Sequence, residues 1–170
     1  MRAVVVTRRG GPEVLTLADR DAPRPGPGEI LADVAAAGVN FMDIYQREGR
    51  PPYDAAPPFV PGAEGAGTVA AVGGDVSDLV VGDRVAWASA ASGYAEQVVV
   101  RADRAVPVPD TVDLTVAAAV LLQGMTAHYL VNSIRSFEQG DWCLVHAAAG
   151  GVGLLLVQLA KRAGLRVIGT

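Results

Sequence analysis

Short apolar runs separated by turn residues fill the first 110 positions of the chain. RAVVVT (2–7), EVLTLAD (13–19), ILADVAAAGV (30–39), GTVAAVG (67–73), DRVAWA (83–88), YAEQVVVR (94–101) and AVPVP (105–109) each read as a strand bounded by Gly, Pro or Asp. Many short strands in succession predict a barrel or sandwich rather than alternating strands and helices. One helix interrupts them: Asn40 is a good N-cap for FMDIYQRE, and Gly49 is a good residue just past its end. Pro51, Pro52, Pro57, Pro58 and Pro61 then stiffen a loop that is a candidate pocket wall.

After Pro109 the periodicity changes. Thr111 or Asp113 can cap an apolar helix through LTVAAAVLL, and a second helix is expected after Gly124 through MTAHYLVNSI. WCLVHA reads as a buried strand, and VGLLLVQLAKRAG as a helix apolar nearly all round, whose flanks must both be covered. Lys161 and Arg162 lie in its last turn, where the helix dipole favours cations, and Gly164 ends it. LRVIGT starts another strand, so strand, helix and strand form one βαβ unit. A parallel sheet of two strands cannot bury itself.

Between the first of these strands and its helix stands HAAAGGVG. Laid on the dinucleotide fingerprint G-x-G-x-x-G, it places Ala148, Gly150 and Gly153 at the three glycine positions, with Gly151 as an extra glycine beside Val152. The middle position lets backbone approach a pyrophosphate, the third lets helix pack on strand, and the new helix offers its free N–H groups to phosphate. Ala148 fits the tight turn if its φ stays negative. No Gly-Lys-Ser/Thr follows, so a Walker loop is excluded. A packed strand-to-helix corner without a ligand is the alternative reading.

Composition narrows the partners. The 170 residues are 51% apolar with a mean hydropathy of +0.30, an excess that suggests surface meant to be covered. Fourteen basic against eighteen acidic residues give a net charge of −4, with the bases scattered, which argues against nucleic acid. The longest apolar stretches, Val116 to Leu122 and Val152 to Ala160, fall short of the ~20 residues of a membrane span. Cys143 is alone and the first residues hold too short an apolar core for a signal peptide, so a cytoplasmic setting is expected.

GVNFMDIYQREG, PFVPGAEGAGTV, VGDRVAW, LQGMTAHYL and HAAAGGVG, in this order and spacing, resemble the zinc-free quinone oxidoreductase (zeta-crystallin-like) branch of the medium-chain dehydrogenase/reductase superfamily. The resemblance covers the whole chain. It implies a mixed β and α/β fold: a GroES-like, partly open β-barrel over residues 1–122, then the first βαβ unit of a truncated Rossmann fold over 123–170. Family chains are about twice as long, completing the Rossmann sheet and returning to the first domain. A homo-oligomer, or pairing with that remaining half, is the protein partner this allows.

The same resemblance implies site residues. Zinc-dependent members carry Cys and His where this chain has Asn40 and Ala63, the structural zinc lobe is missing, and His128 and His146 lack ligands at metal spacing, so no metal is expected. Asn40 and Tyr45 would line the cleft where nicotinamide and acceptor meet, and Tyr53 would close over it. Each has a plainer reading: a helix cap, a core aromatic and an exposed loop aromatic. Thr126 would meet the nicotinamide end of the cofactor, or serve only as a helix-start hydroxyl. Ala148, Gly150, Gly151, Val152 and Gly153 would hold the pyrophosphate. Asp43, Glu64 and Arg84 are expected as an ion cluster tying the helix to the barrel.

Without a Lewis acid, alcohol oxidation is disfavoured, whereas reducing an electrophilic acceptor needs only a nicotinamide hydride and positioning. The expected activity is therefore NADPH-dependent reduction of a quinone or activated enone. NADPH comes from the family alone, because the residue that selects it lies beyond the second Rossmann strand. The alternatives are a reductase of 2-enoyl thioesters or other conjugated carbonyls, and a catalytically silent truncated binding module.

Overall fold

In the computed structural model, which describes residues 1–170, the chain opens with an antiparallel pair, β1 (Arg2–Val6) and β2 (Leu15–Asp19). Glu13 and Val14, expected to begin the second strand, instead belong to a 3-10 turn, Pro12–Val14, which Pro12 favours at its first position. A five-stranded antiparallel sheet follows, built from β3 (Glu29–Gly38), β4 (Glu64–Val72), β5 (Arg84–Trp87), β6 (Gln97–Arg101) and β7 (Val106–Pro107). Its strand order is β6-β3-β4-β5-β7.

Alternation explains this core. Ile30 and Ala32 on β3, Val85 and Trp87 on β5, and Val98 and Val100 on β6 sit two apart and are all buried in one cluster with Val69 and Leu79. Register shifts at Leu31/Ala32 and Val34/Ala36 bend β3 against β4, and single bridges Ala3 to Ala95 and Val6 to Phe59 bring the β1–β2 pair onto the sheet. The result is the partly open barrel that the family resemblance implied, one of the two architectures the strand pattern allowed. Tyr94 to Glu96, read as the start of a strand, belong to this crossing to β1 rather than to β6. Helix α1 (Phe41–Glu48) leaves the end of β3, and Gly49 closes it with φ +72°.

The chain divides into two compact units, Met1–Ala119 and Val120–Thr170. Helix α2 (Leu114–Asn132) begins in the first and ends in the second. It is one helix where the sequence suggested two. Asp113 caps it by accepting the Thr115 N–H at 2.7 Å, and Gly124 stays helical rather than breaking it. An interior glycine costs a helix only about 1 kcal/mol. A side chain there would touch Leu155, so the position is a packing contact. Joined in this way, α2 has by length and composition alone enough apolar chain to cross a bilayer, a test that core helices of globular proteins also pass.

The second unit holds β8 (Trp142–Val145), α3 (Gly151–Arg162) and β9 (Arg166–Gly169), with β8 and β9 parallel. Val131, Ala160 and Leu165 form its buried centre, with Cys143, Leu156 and Val167 packed around them. Trp142, Leu144, Leu154 and Ile168 are exposed.

Candidate functional site

At the start of α1, the Asn40 backbone N–H donates to Asp43 Oδ2 at 2.8 Å, the reach-back arm of a capping box. The Asn40 side chain is engaged as well, its Nδ2 donating to Glu64 Oε2 at 3.0 Å. Glu64 opens β4, opposite Gly38 at the end of β3, and is fully buried. The other helix-side carboxylate, Asp43, is also buried and accepts the Tyr94 hydroxyl at 2.8 Å. Burial pushes the Tyr94 phenol well above the usual tyrosine range, and its bond to the Asp43 carboxylate adds to this. Four polar groups from α1, β4 and the segment before β6 thus hold each other in place.

Aromatic groups gather along α1 and the turn that follows it. The Tyr45 and Tyr53 rings are stacked, with centroids 6.1 Å apart and planes 28° apart, and Phe41 lies 6.5 Å from Tyr45. The Arg50 guanidinium lies over the Tyr45 ring, 5.6 Å from its centroid. Local hydrogen bonding fixes this arrangement: Arg50 N–H donates to Tyr45 O at 2.8 Å, and Tyr53 N–H to Arg50 O at 3.0 Å. Arg47, buried on the same helix, donates to Gly10 O at 3.1 Å and so ties α1 to the β1–β2 connection.

In the second unit the chain turns from β8 into α3 at His146–Gly150. Ala147, not Ala148, takes the left-handed conformation, with φ +52°. A side chain on Gly153 would place its Cβ 2.2 Å from Ala147 O, so helix and turn approach as closely as backbone allows. Gly150 is the N-cap of α3, and Gly151 faces Gln123 of α2. The Ala148 methyl occupies space opposite β9, where a Cβ on Gly169 would lie 2.8 Å away. Ala148 N–H donates to Thr170 O at 3.0 Å, and His146 Nδ1 meets Thr170 Oγ1 at 3.1 Å, bracing the turn against the end of β9.

Residues 26–110 match the model of the alcohol dehydrogenase GroES-like domain. The chain belongs to this family. Within it the chain falls in the quinone oxidoreductase branch. It is 45% identical over 162 residues to a quinone oxidoreductase of Pseudomonas aeruginosa, covering 95% of this chain and 50% of the relative. A 2-haloacrylate reductase from a Burkholderia species is 38% identical, with 99% and 52% covered. Among solved structures, a mycobacterial protein in complex with NADPH superimposes with a TM-score of 0.95 at 49% identity, over 99% of this chain and 52% of that one. The chain thus spans about half the length of the relatives it matches.

Set on this GroES-like frame, the residues expected from the sequence fall into separate groups. Tyr45 and Tyr53 are brought together, and Asn40 opens the same helix in contact with Glu64. The expected ion cluster does not form as one: Arg84 instead donates to Pro109 O at 2.8 Å and Val112 O at 2.6 Å, and lies 3.6 Å from Asp110. Arg84 fastens the approach to α2, because β5 carries it to the β7 side of the sheet. Thr126 lies well inside the continuous α2, where its hydroxyl donates back to Leu122 O at 2.9 Å. Tyr94 was not singled out by sequence reasoning. Its partner is 51 residues away, and no local pattern marks such a pair.

Proposed function

We propose that the natural protein carrying this sequence is an NADPH-dependent, zinc-independent reductase that delivers hydride to a quinone or an activated enone. The observation that carries this reading is the turn into α3, where Gly150 and Gly153 leave backbone bare at the start of a twelve-residue helix. The turn suits a pyrophosphate: Gly150, at the middle position of the fingerprint, puts no side chain between backbone and ligand, and the first N–H groups of α3 have no partner within their own helix. The complex of a close relative with NADPH supports the choice of cofactor. When bound, reduced nicotinamide supplies the hydride.

This chain's own residues do the rest. Gly150, Gly151, Val152 and Gly153 hold the pyrophosphate, Ala148 shapes the turn beneath it, and Thr126 meets the nicotinamide end. Asn40, Tyr45 and Tyr53 position the acceptor: the Asn40 amide is oriented by Glu64, and the stacked tyrosines offer a flat apolar surface with hydroxyl groups. At the positions where zinc-dependent members carry Cys and His, this chain has an amide that donates to a carboxylate, and an alanine. Neither supplies a zinc ligand of the usual kind. The name of the Burkholderia relative favours conjugated carbonyl acceptors as the second reading.

The test is steady-state NADPH oxidation by the natural protein with 1,4-benzoquinone and, separately, crotonyl-CoA, before and after EDTA treatment. Quinone turnover that survives EDTA is expected. A clear preference for the thioester would move the assignment to enoyl reduction, and activity restored only by added zinc would overturn the metal-free reading.

A further inference from the structure

We propose that Arg50 makes the acceptor site selective for planar acceptors bearing an anionic substituent, such as a sulfonate or carboxylate, over neutral ones. The inference rests on the reading of Tyr45 and Tyr53 as the acceptor surface. The Arg50 guanidinium lies over the Tyr45 ring, 5.6 Å from its centroid, so a flat molecule at the edge of that ring meets a cation beside it. Its mount is rigid for a surface arginine, since the backbone N–H and C=O are both hydrogen-bonded within the turn that follows α1.

The charge on Arg50 is available. Glu48 approaches it at Nε, at 2.7 Å, and the Arg50 side chain is 63% exposed. Glu48 is moreover shared, lying 3.7 Å from the buried Arg47. Close in sequence to Tyr53, Asp54 is paired with Arg9 at 3.4 Å. A planar, exposed guanidinium is suited to oxyanions, which it can engage bidentately. A neutral ring gains the stacking alone.

Binding of redox-inert probes tests this apart from turnover. Naphthalene-2-sulfonate and its neutral analogue naphthalene-2-sulfonamide are titrated calorimetrically into the natural protein and its Arg50→Leu and Arg50→Lys variants, with NADP⁺ saturating. The natural protein is expected to prefer the sulfonate about tenfold. Arg50→Leu should bring the ratio close to one, and Arg50→Lys should keep most of it, showing that charge rather than a lost fold is responsible. Equal binding by the natural protein, or a preference that persists in Arg50→Leu, overturns the proposal. Menadione turnover by the natural protein is measured in parallel: its absence beside an intact sulfonate preference overturns the quinone assignment and leaves the selectivity standing.

Discussion

The Asn40 amide donates to the Glu64 carboxylate at 3.0 Å, joining the first residue of a helix cap to a buried acid at the start of β4. The contact links the end of one strand to the beginning of its neighbour. Replacing Asn40 with Ala removes a donor from a buried carboxylate as well as a cap, and should destabilise the protein by about 2 kcal/mol. Asn40→Asp keeps the cap but sets a second carboxylate beside Glu64, and should cost more than Asn40→Ala. Urea unfolding of the two variants checks the order, and a more stable Asp variant would contradict it.

Tyr94 gives a signature at alkaline pH. Its folded-state phenol is raised by burial and by its bond to Asp43, so the folded protein holds the proton after the unfolded chain has released it. The stabilisation is therefore complete below the ordinary tyrosine value of about 10 and is lost as pH rises from there through the folded value. Tyr94→Phe should cost about 1–2 kcal/mol at neutral pH through the lost hydrogen bond. The gap between the two proteins should narrow above pH ~10, where wild type loses its advantage. Thermal melts across that range would show it.

Gly150 and Gly153 should separate binding from folding. At Gly153 an added Cβ meets backbone at 2.2 Å, so Gly153→Ala should unfold the turn and cost about 3 kcal/mol or more. At Gly150 the added atom would lie 3.2 Å from Ala147 O, at a φ of −79° that alanine accepts. Gly150→Ala should therefore change stability by about 1 kcal/mol or less yet weaken NADPH roughly tenfold, by filling the approach of the pyrophosphate. Melting temperature and NADPH fluorescence titration are the paired readouts.

Ala148 and Gly169 should behave as one unit. With 2.8 Å between the Ala148 methyl and a Cβ built on Gly169, Gly169→Ala should overpack the turn by about 1–3 kcal/mol. Ala148→Gly in the same chain should recover most of that loss. A double-mutant cycle with additive effects would show that the two sites are independent.

Much of the architecture was legible in the sequence because it is local. The ends of α1 follow from Asn40 and Gly49, and Lys161, Arg162 and Gly164 mark the end of α3. The failures were also physical. Gly124 was read by its usual tendency, but packing kept it helical, and the 3-10 turn over Pro12–Val14 took the first two residues expected in β2. Arg84 shares a run of motifs with Asp43 and Glu64, yet β5 carries it to another part of the sheet.

The sequence by itself determined the element types, the glycine turn and the family, since hydrophobic period, caps and turn residues act over a few positions. Only the tertiary structure decided which polar groups meet: Asn40 with Glu64, Asp43 with Tyr94, and the Ala148 methyl with the bare Gly169. Those pairs are 24, 51 and 21 residues apart, and their contact depends on strand register and helix placement, which the whole fold sets and no local pattern encodes.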